Sequence, residues 1–184
     1  MFKQFLHRRI AKLERAFGYD ATYFHEVVDA STPAFAKFTA FQWMSSHRDH
    51  IPRDAWFAAR IAAALSEDCG PCTQLVVNMA LRQGMNANAI ASLLRGDLEH
   101  AGAAAELGFR YGIAVANGTD DCLRLAEEAE ARYGKRGLVS LAYAVACSRV
   151  YPALKRGLGH GVTCSSIVVS DVTITIREAP RKAA

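Results

Sequence analysis

Before residue 160 the chain has no segment with the composition and alternation of a β-strand, and this constrains its fold more than any other feature. Apolar residues instead recur at three- and four-residue spacing, the period of a helix with one buried face. Phe2, Phe5, Leu6, Ile10, Leu13 and Phe17 carry that period over residues 2–16, with basic residues between them, and Gly18 stops it. Residues 20–30 and 32–46 are the next helix candidates; Thr32-Pro33 opens the second, because proline suits the first helical turn. SSHRDHIPRDA is a polar break, and Pro52 restarts a helix through AWFAARIAAAL. Further helices are expected over about 69–84 and over NANAIASLLRGD, with Asn86 as cap and Gly96-Asp97 as stop. Two more are expected over 98–117 and over 119–133 up to Gly134. LVSLAYAVACSRVYPALKR, the most apolar helix, is the expected centre of the fold.

The tail differs. In TCSSIVVSDVTITIRE, Val172, Ile174 and Ile176 alternate with Thr173, Thr175 and Arg177, the period of a strand. One strand is not stable alone. No partner strand stands out elsewhere in the chain, so a second chain is the expected partner, with an extended tail as the alternative. The expectation is an all-α bundle with a short C-terminal β-strand. Its parts are an N-terminal helical extension over 1–50, a helical core over 51–160 and an extended tail over 161–184.

The 184 residues are 51% apolar and 22% charged, with a net charge of +4, enough apolar material for a sizeable core. Lys and Arg are scattered; RRIAK and PRK, the densest spots, read as solvated ends rather than nucleic-acid contacts. No uninterrupted run reaches the ~18 apolar residues of a membrane helix, and the N-terminus lacks a signal-peptide core. A cytoplasmic protein with no nucleic-acid or membrane partner is expected. Five cysteines, an odd and uneven set, do not suggest a secreted disulfide framework.

Two of those cysteines stand in CGPC, residues 69–72, within ALSEDCGPCTQLVVNMALRQG. A thioredoxin fold needs a strand leading into this motif, but AWFAARIAAALSED is a helix former. A zinc site needs four ligands; no second Cys pair exists, and His47 and His50 lie in a polar loop without further pattern. Redox use is favoured over both. Pro71 puts Cys69 at a helix N-terminus, where free N–H groups and the dipole stabilise a thiolate. Glu67 and Asp68 oppose this by charge, or else accept the thiol proton as general bases. Cys72 shares a face with Leu75, Val76 and Met79, while Gln74, Asn78 and Arg82 form a polar stripe. Cys72 is therefore expected to be the more buried thiol and Cys69 the more accessible. The plain alternative is two small buried apolar side chains.

The ordered text CGPCTQLVVNMALRQGMNANAIASLLRGD, followed by AAELGFRYGIAVANG and GLVSLAYAVACSRVYPALKRGLG, resembles the alkylhydroperoxidase D-like, carboxymuconolactone decarboxylase family over roughly residues 52–160. The resemblance implies that family's all-α bundle over the core, homo-oligomers, and thiol peroxidase or disulfide reductase activity without a cofactor. It also implies a peroxide or other small-molecule substrate and a thiol reductant. Carried over, Cys72 attacks the peroxide and Cys69 resolves the sulfenic acid, whereas the dipole argument favours Cys69 as nucleophile. The peroxidase branch has a histidine four residues after the second cysteine, where this chain has Val76. It has a glutamate twelve residues before the first, where this chain has Phe57. Glu67 is the substitute nominated for that relay, with Asp68 behind it. The competing expectation is a helical oligomer of the same fold, without the relay, acting as a binding or assembly module.

Other residues read more plainly. His25 and Asp29, one turn apart, suit a metal but better suit a solvated face. His100 and His160 flank helices, with a surface or capping role preferred over that of a base. Trp43, Trp56, Phe57 and Tyr111 read as core, with a small apolar pocket as the functional alternative. Cys122, Cys147 and Cys164 lack sequence neighbours, and Cys147 reads as inert packing.

Overall fold

A computed structural model describes residues 2–163 and 165–176. Among the described residues there are eight α-helices: α1 Phe2–Phe17, α2 Thr22–Ala30, α3 Thr32–Ser45, α4 Arg53–Ser66, α5 Gly70–Arg82, α6 Ala87–Arg95, α7 Ala103–Asn117 and α8 Cys122–Gly157. Two short strands follow, β1 Ser166–Val169 and β2 Val172–Thr175. The protein is mostly helical, with one small sheet near the C-terminus.

Local chemistry sets most of the boundaries. The Ser31 hydroxyl accepts from the Ala34 amide at 3.3 Å, with proline in the first turn of α3. Asn86 accepts from the Asn88 and Ala89 amides to open α6, and Gly96, left-handed at φ 79°, closes it. Residues 98–117 are not one helix. Leu98–Ala101 form a 3₁₀ turn, and Gly102, at φ 86°, separates it from α7. Conversely, the two helices expected on either side of Gly134 are joined, with Gly134 (φ 70°, ψ 174°) as a kink inside α8.

The centre is α4, not the apolar half of α8. From Ala55 to Leu65 every residue of α4 is buried except Arg60. The run of alanines explains the exchange: small side chains let neighbours approach from all sides, whereas α8 keeps Val139, Tyr143 and Val150 exposed on one face. By length and composition α8 alone among the described helices could cross a membrane, and 44% of its most apolar window is buried inside the fold. Its partner α7 comes so close to α4 that a Cβ on Gly108 would lie 2.1 Å from the Ala55 carbonyl oxygen. One on Gly112 would lie 2.7 Å from that of Ala59. Two glycines four apart thus make the groove that seats α4.

The helices α1–α3 gather a second apolar cluster around Tyr23, Phe24, Val28 and Phe35. It packs on Leu75 of α5 and on Tyr151 and Leu154 of α8. The polar stripe of α5 is the fastening. Asn78 donates to the Phe17 carbonyl at 3.0 Å, Arg82 donates to that of Ala16, and the Arg82 guanidinium lies 4.4 Å over the Phe17 ring.

The strand of the tail finds its partner within the tail. β1 pairs antiparallel with β2, Ile167 opposite Ile174 and Val169 opposite Val172, through a turn at Ser170-Asp171 with Ser170 at φ 54°. Ile167, Val169 and Ile174 face the core. Gln74 holds β1 in place with a pair of 2.8 Å hydrogen bonds to the Val168 backbone. Ile167, Val168 and Val169 are consecutive apolar residues, so the segment showed no alternation to mark it as a strand. Cys164 and Arg177 lie outside the described residues.

Candidate active site

The link between α4 and α5 is three residues long. Glu67 caps α4, Asp68 takes a left-handed conformation (φ 51°), and Cys69 is the N-cap of α5. Asp68 is one of the few non-glycine residues that tolerate this region of φ. The turn reverses the chain, so Cys69 lands where the amides of the next helix begin. Its Sγ accepts from the Cys72 N–H at 3.4 Å. Its carbonyl accepts from the backbone amide and the hydroxyl of Thr73, both at 2.9 Å. Pro71 stands in the first turn of α5.

Cys69 and Cys72 form a disulfide, with Cα atoms 5.3 Å apart. Both are buried, at 4% and 5% exposure, so the expected contrast in accessibility is absent. What differs is where each leads. Cys72, with Leu75, Val76 and Met79, lines a cavity of about 580 Å³ between the N-terminal helices and the core. Cys69 lines a separate cleft of about 240 Å³ with Glu67, Asp68, Lys155, Arg156 and the chain at 161–163. Cys72 has an aromatic surrounding and Cys69 a charged one.

Glu67 does not present a free carboxylate to either sulfur. Arg149 Nε reaches Oε1 at 2.6 Å, Arg156 Nη2 pairs with Oε2, and Arg156 Nη1 donates to the Glu67 carbonyl at 2.6 Å. Burial raises this carboxyl, but the hydrogen bonds and charges of Arg156 and Arg149 outweigh it and bring it below its ordinary value of 4.5. A carboxylate clamped by two guanidiniums is a poor proton acceptor, which weighs against Glu67 as the relay base. Its evident work is to tie the α4–α5 turn to α8.

Lys155 is the cleft residue that sequence reasoning missed. It is 2% exposed, and its Nζ lies 5.1 Å over the Tyr19 ring and 5.6 Å over that of Tyr23. Burial lowers its pKa below the ordinary 10.5, with Asp20 opposing. Tyr19 and Tyr23 are joined by a 3.1 Å hydroxyl hydrogen bond, and burial pushes Tyr19 up to about 12 and Tyr23 higher, so both stay protonated. A signal for Lys155 existed: it continues the buried stripe of Leu141, Ala144, Ser148 and Pro152 on α8.

No family model, curated protein or solved structure matches this chain. The reading of the site therefore rests on its own geometry.

The remaining candidates fall away from the two cysteines. His100 pairs with Asp97 at 2.7 Å and His160 with Glu26 at 2.9 Å, and neither lines the cavity or the cleft. His47 accepts the Trp56 indole N–H on its carbonyl at 2.9 Å, and His50 stands beside Asp49. His25 stacks on His7, with ring nitrogens 2.6 Å apart, while Asp29 pairs with His7 and Lys3. Among the described residues no group of three or more His, Cys, Asp or Glu is arranged to hold a metal. Trp56 and Phe57 line the cavity beside Cys72, Tyr111 sits in the main core, and Trp43, 84% exposed, belongs to neither. Val76 and Phe57, which stand where the peroxidase branch carries its relay, are cavity wall. Cys147 is a free, buried thiol whose pKa burial raises, and the Cys122 thiol donates to the Ala114 carbonyl.

Proposed function

We propose that this protein is a thiol-dependent oxidoreductase that reduces an organic peroxide by cycling Cys69 and Cys72 between dithiol and disulfide. The observation that carries the reading is the pairing of a helix-capping disulfide with two separate openings, aromatic at Cys72 and charged at Cys69. The Cys72 thiolate attacks the distal peroxide oxygen. The O–O bond breaks, the alkoxide leaves as an alcohol after taking a proton, and the sulfur becomes a sulfenic acid. The Cys69 thiolate attacks that sulfur and expels hydroxide, which leaves as water with a second proton, and the disulfide closes. An external dithiol then attacks the Cys72 sulfur and expels Cys69 as the thiolate into its charged cleft; the second thiol of the reductant resolves the mixed disulfide, so that two electrons and two protons are returned.

The arrangement supports this order. The substrate-sized cavity lies on the Cys72 side. Cys69 holds the N-cap amide, so it is the better thiolate and the better leaving group when the disulfide is reduced. Lys155 and Arg156 line its cleft and offset the charge it would carry. The test is peroxide consumption with cumene hydroperoxide and dithiothreitol as the regenerating dithiol. The wild type turns over, Cys72→Ser is inactive, and Cys69→Ser forms no intramolecular disulfide, its sulfenic acid accumulating only when the dithiol is withheld. Consumption no faster than with dithiothreitol alone, and unchanged by Cys72→Ser, would leave the non-catalytic module as the function of this fold.

A further inference from the structure

Arg60 stands out among the arginines. Six of the described guanidiniums pair with carboxylates: Arg136 with Asp49, Arg124 with Asp121, Arg149 and Arg156 with Glu67, Arg53 with Asp54, and Arg110 with Glu106. Arg60 has none, although it is the one charged residue in the buried run of α4. Its polar contact is Nε to the Ser148 hydroxyl at 3.3 Å, and its guanidinium carbon lies 4.5 Å over the Trp56 ring. That contact occupies Nε and leaves the planar fork of terminal N–H donors without an acceptor among the described residues. Burial depresses its pKa, with Tyr151 and Cys147 opposing. A guanidinium half-buried among apolar side chains is ordinarily paired.

The cavity it lines is the one behind Cys72. Phe17, Phe24, Trp56, Phe57 and Met79 supply aromatic and apolar wall. Arg60 and Arg48 are the charged residues of the lining; no aspartate or glutamate belongs to it. Arg48 is exposed at the rim, its guanidinium 6.0 Å from the centre of the Trp56 ring and its Nη1 3.5 Å from Gln83 Oε1. Lys155 adds a third positive charge behind Tyr19 and Tyr23, both of which are cavity wall. At about 30 Å³ per water-sized atom, 580 Å³ holds about twenty non-hydrogen atoms.

We infer that this cavity receives an organic carboxylate with an aryl or alkyl body, its carboxylate seated on the fork of Arg60 and its apolar body laid along the aromatic wall towards Cys72. A guanidinium fork matches a carboxylate with two parallel hydrogen bonds, and the match is strongest where water is scarce. Arg48 at the rim draws the anion in. The inference rests on the redox reading only for what happens at sulfur, where it makes the substrate a carboxylated organic hydroperoxide. The binding stands without that reading.

Two measurements separate the claims. Calorimetric titration of the disulfide form compares 6-phenylhexanoate with 6-phenylhexanol, equal in length and differing in charge. The carboxylate is expected to bind at least tenfold more tightly. Arg60→Met is expected to erase that preference while leaving the alcohol unchanged, and Arg60→Lys to restore part of it. Turnover then compares cumene hydroperoxide with its para-carboxylated analogue, and the carboxylate is expected to lower KM at least tenfold with little change in kcat. Equal binding of the acid and the alcohol to the wild type, or binding of neither, overturns the inference whether or not the Arg60 variants fold. If the acid is preferred through Arg60 but neither hydroperoxide is consumed, the carboxylate site stands and the peroxidase reading falls. If both hydroperoxides are consumed alike and the acid is not preferred, the reverse holds.

Discussion

The amide of Cys72 donates to the sulfur of Cys69 across 3.4 Å, a first-turn N–H turned onto the residue that caps its own helix. Like any N-cap oxygen, this sulfur quenches an amide that would otherwise lack a partner. Unlike an oxygen, it can gain a full negative charge when the disulfide opens, and the helix dipole then works in its favour. Cys72 lies inside the first turn and has no such donor.

That asymmetry predicts an order of acidity. In Cys72→Ser, where Cys69 is the only thiol of the pair, ultraviolet titration of the thiolate is expected to give an apparent pKa below the ~8.5 of a free cysteine. In Cys69→Ser the remaining thiol is expected to titrate higher. The opposite order would remove the electrostatic basis for Cys69 as the leaving thiolate.

Lys155 should trade stability for reactivity. Its folded pKa is depressed below 10.5, so between the folded and unfolded values the unfolded chain binds more protons, and stability rises with pH through that window. At neutral pH the buried charge exerts its full cost. Lys155→Met is therefore expected to be about 1 kcal/mol more stable at pH 7, about 2–4 °C in Tm, with the gain shrinking as pH approaches the unfolded value. The same variant is expected to slow alkylation of Cys69 in reduced protein. A variant less stable than wild type at pH 7 would mean that the ring contacts with Tyr19 and Tyr23 outweigh the desolvation.

Glu67 shifts the other way. Its folded pKa is lowered, so its contribution is present above the unfolded pKa of a glutamate, ~4.3, and is lost as pH falls through the folded value. Urea denaturation at pH 7 is expected to show Glu67→Gln destabilised by about 1–2 kcal/mol, since two guanidiniums lose their shared carboxylate. At pH 3 the gap should narrow. A gap independent of pH would show that the loss is one of packing rather than charge.

The glycines of α7 test the helix crossing. Gly108→Ala places a methyl group 2.1 Å from a backbone oxygen that no side-chain rotation can move, and a loss of about 2–3 kcal/mol or more is expected from chemical denaturation. Gly157→Ala, where a Cβ meets nothing within 4 Å, serves as the control and is expected to be neutral or slightly stabilising. Equal tolerance at both sites would contradict the close approach of α4 and α7.

Local signals mark most helix ends because each depends on a few nearby residues: Ser31 with Pro33, Asn86 with Gly96, Pro71 after Cys69. The same signals misjudged longer range. The leading residues of the segment beginning at Leu98 carry helical spacing, yet Gly102 breaks it. Gly134 marks a true break in backbone conformation, but one the helix passes through as a kink. SIVV hid its strand because Val168, on the exposed face, is as apolar as its buried neighbours Ile167 and Val169, leaving no period to read.

The sequence by itself determined that this chain is helical, that CGPC opens a helix, and that its cysteines are close enough to pair. Each follows from spacing along one segment. Only the tertiary structure decided that α4 is the centre, that Glu67 is locked between Arg149 and Arg156, that Lys155 is a buried cation in the cleft of Cys69, and that Arg60, half-buried, lines the cavity of Cys72. Those facts depend on residues more than fifty positions apart meeting in space, and no local pattern encodes which charge finds a partner and which is left facing a cavity.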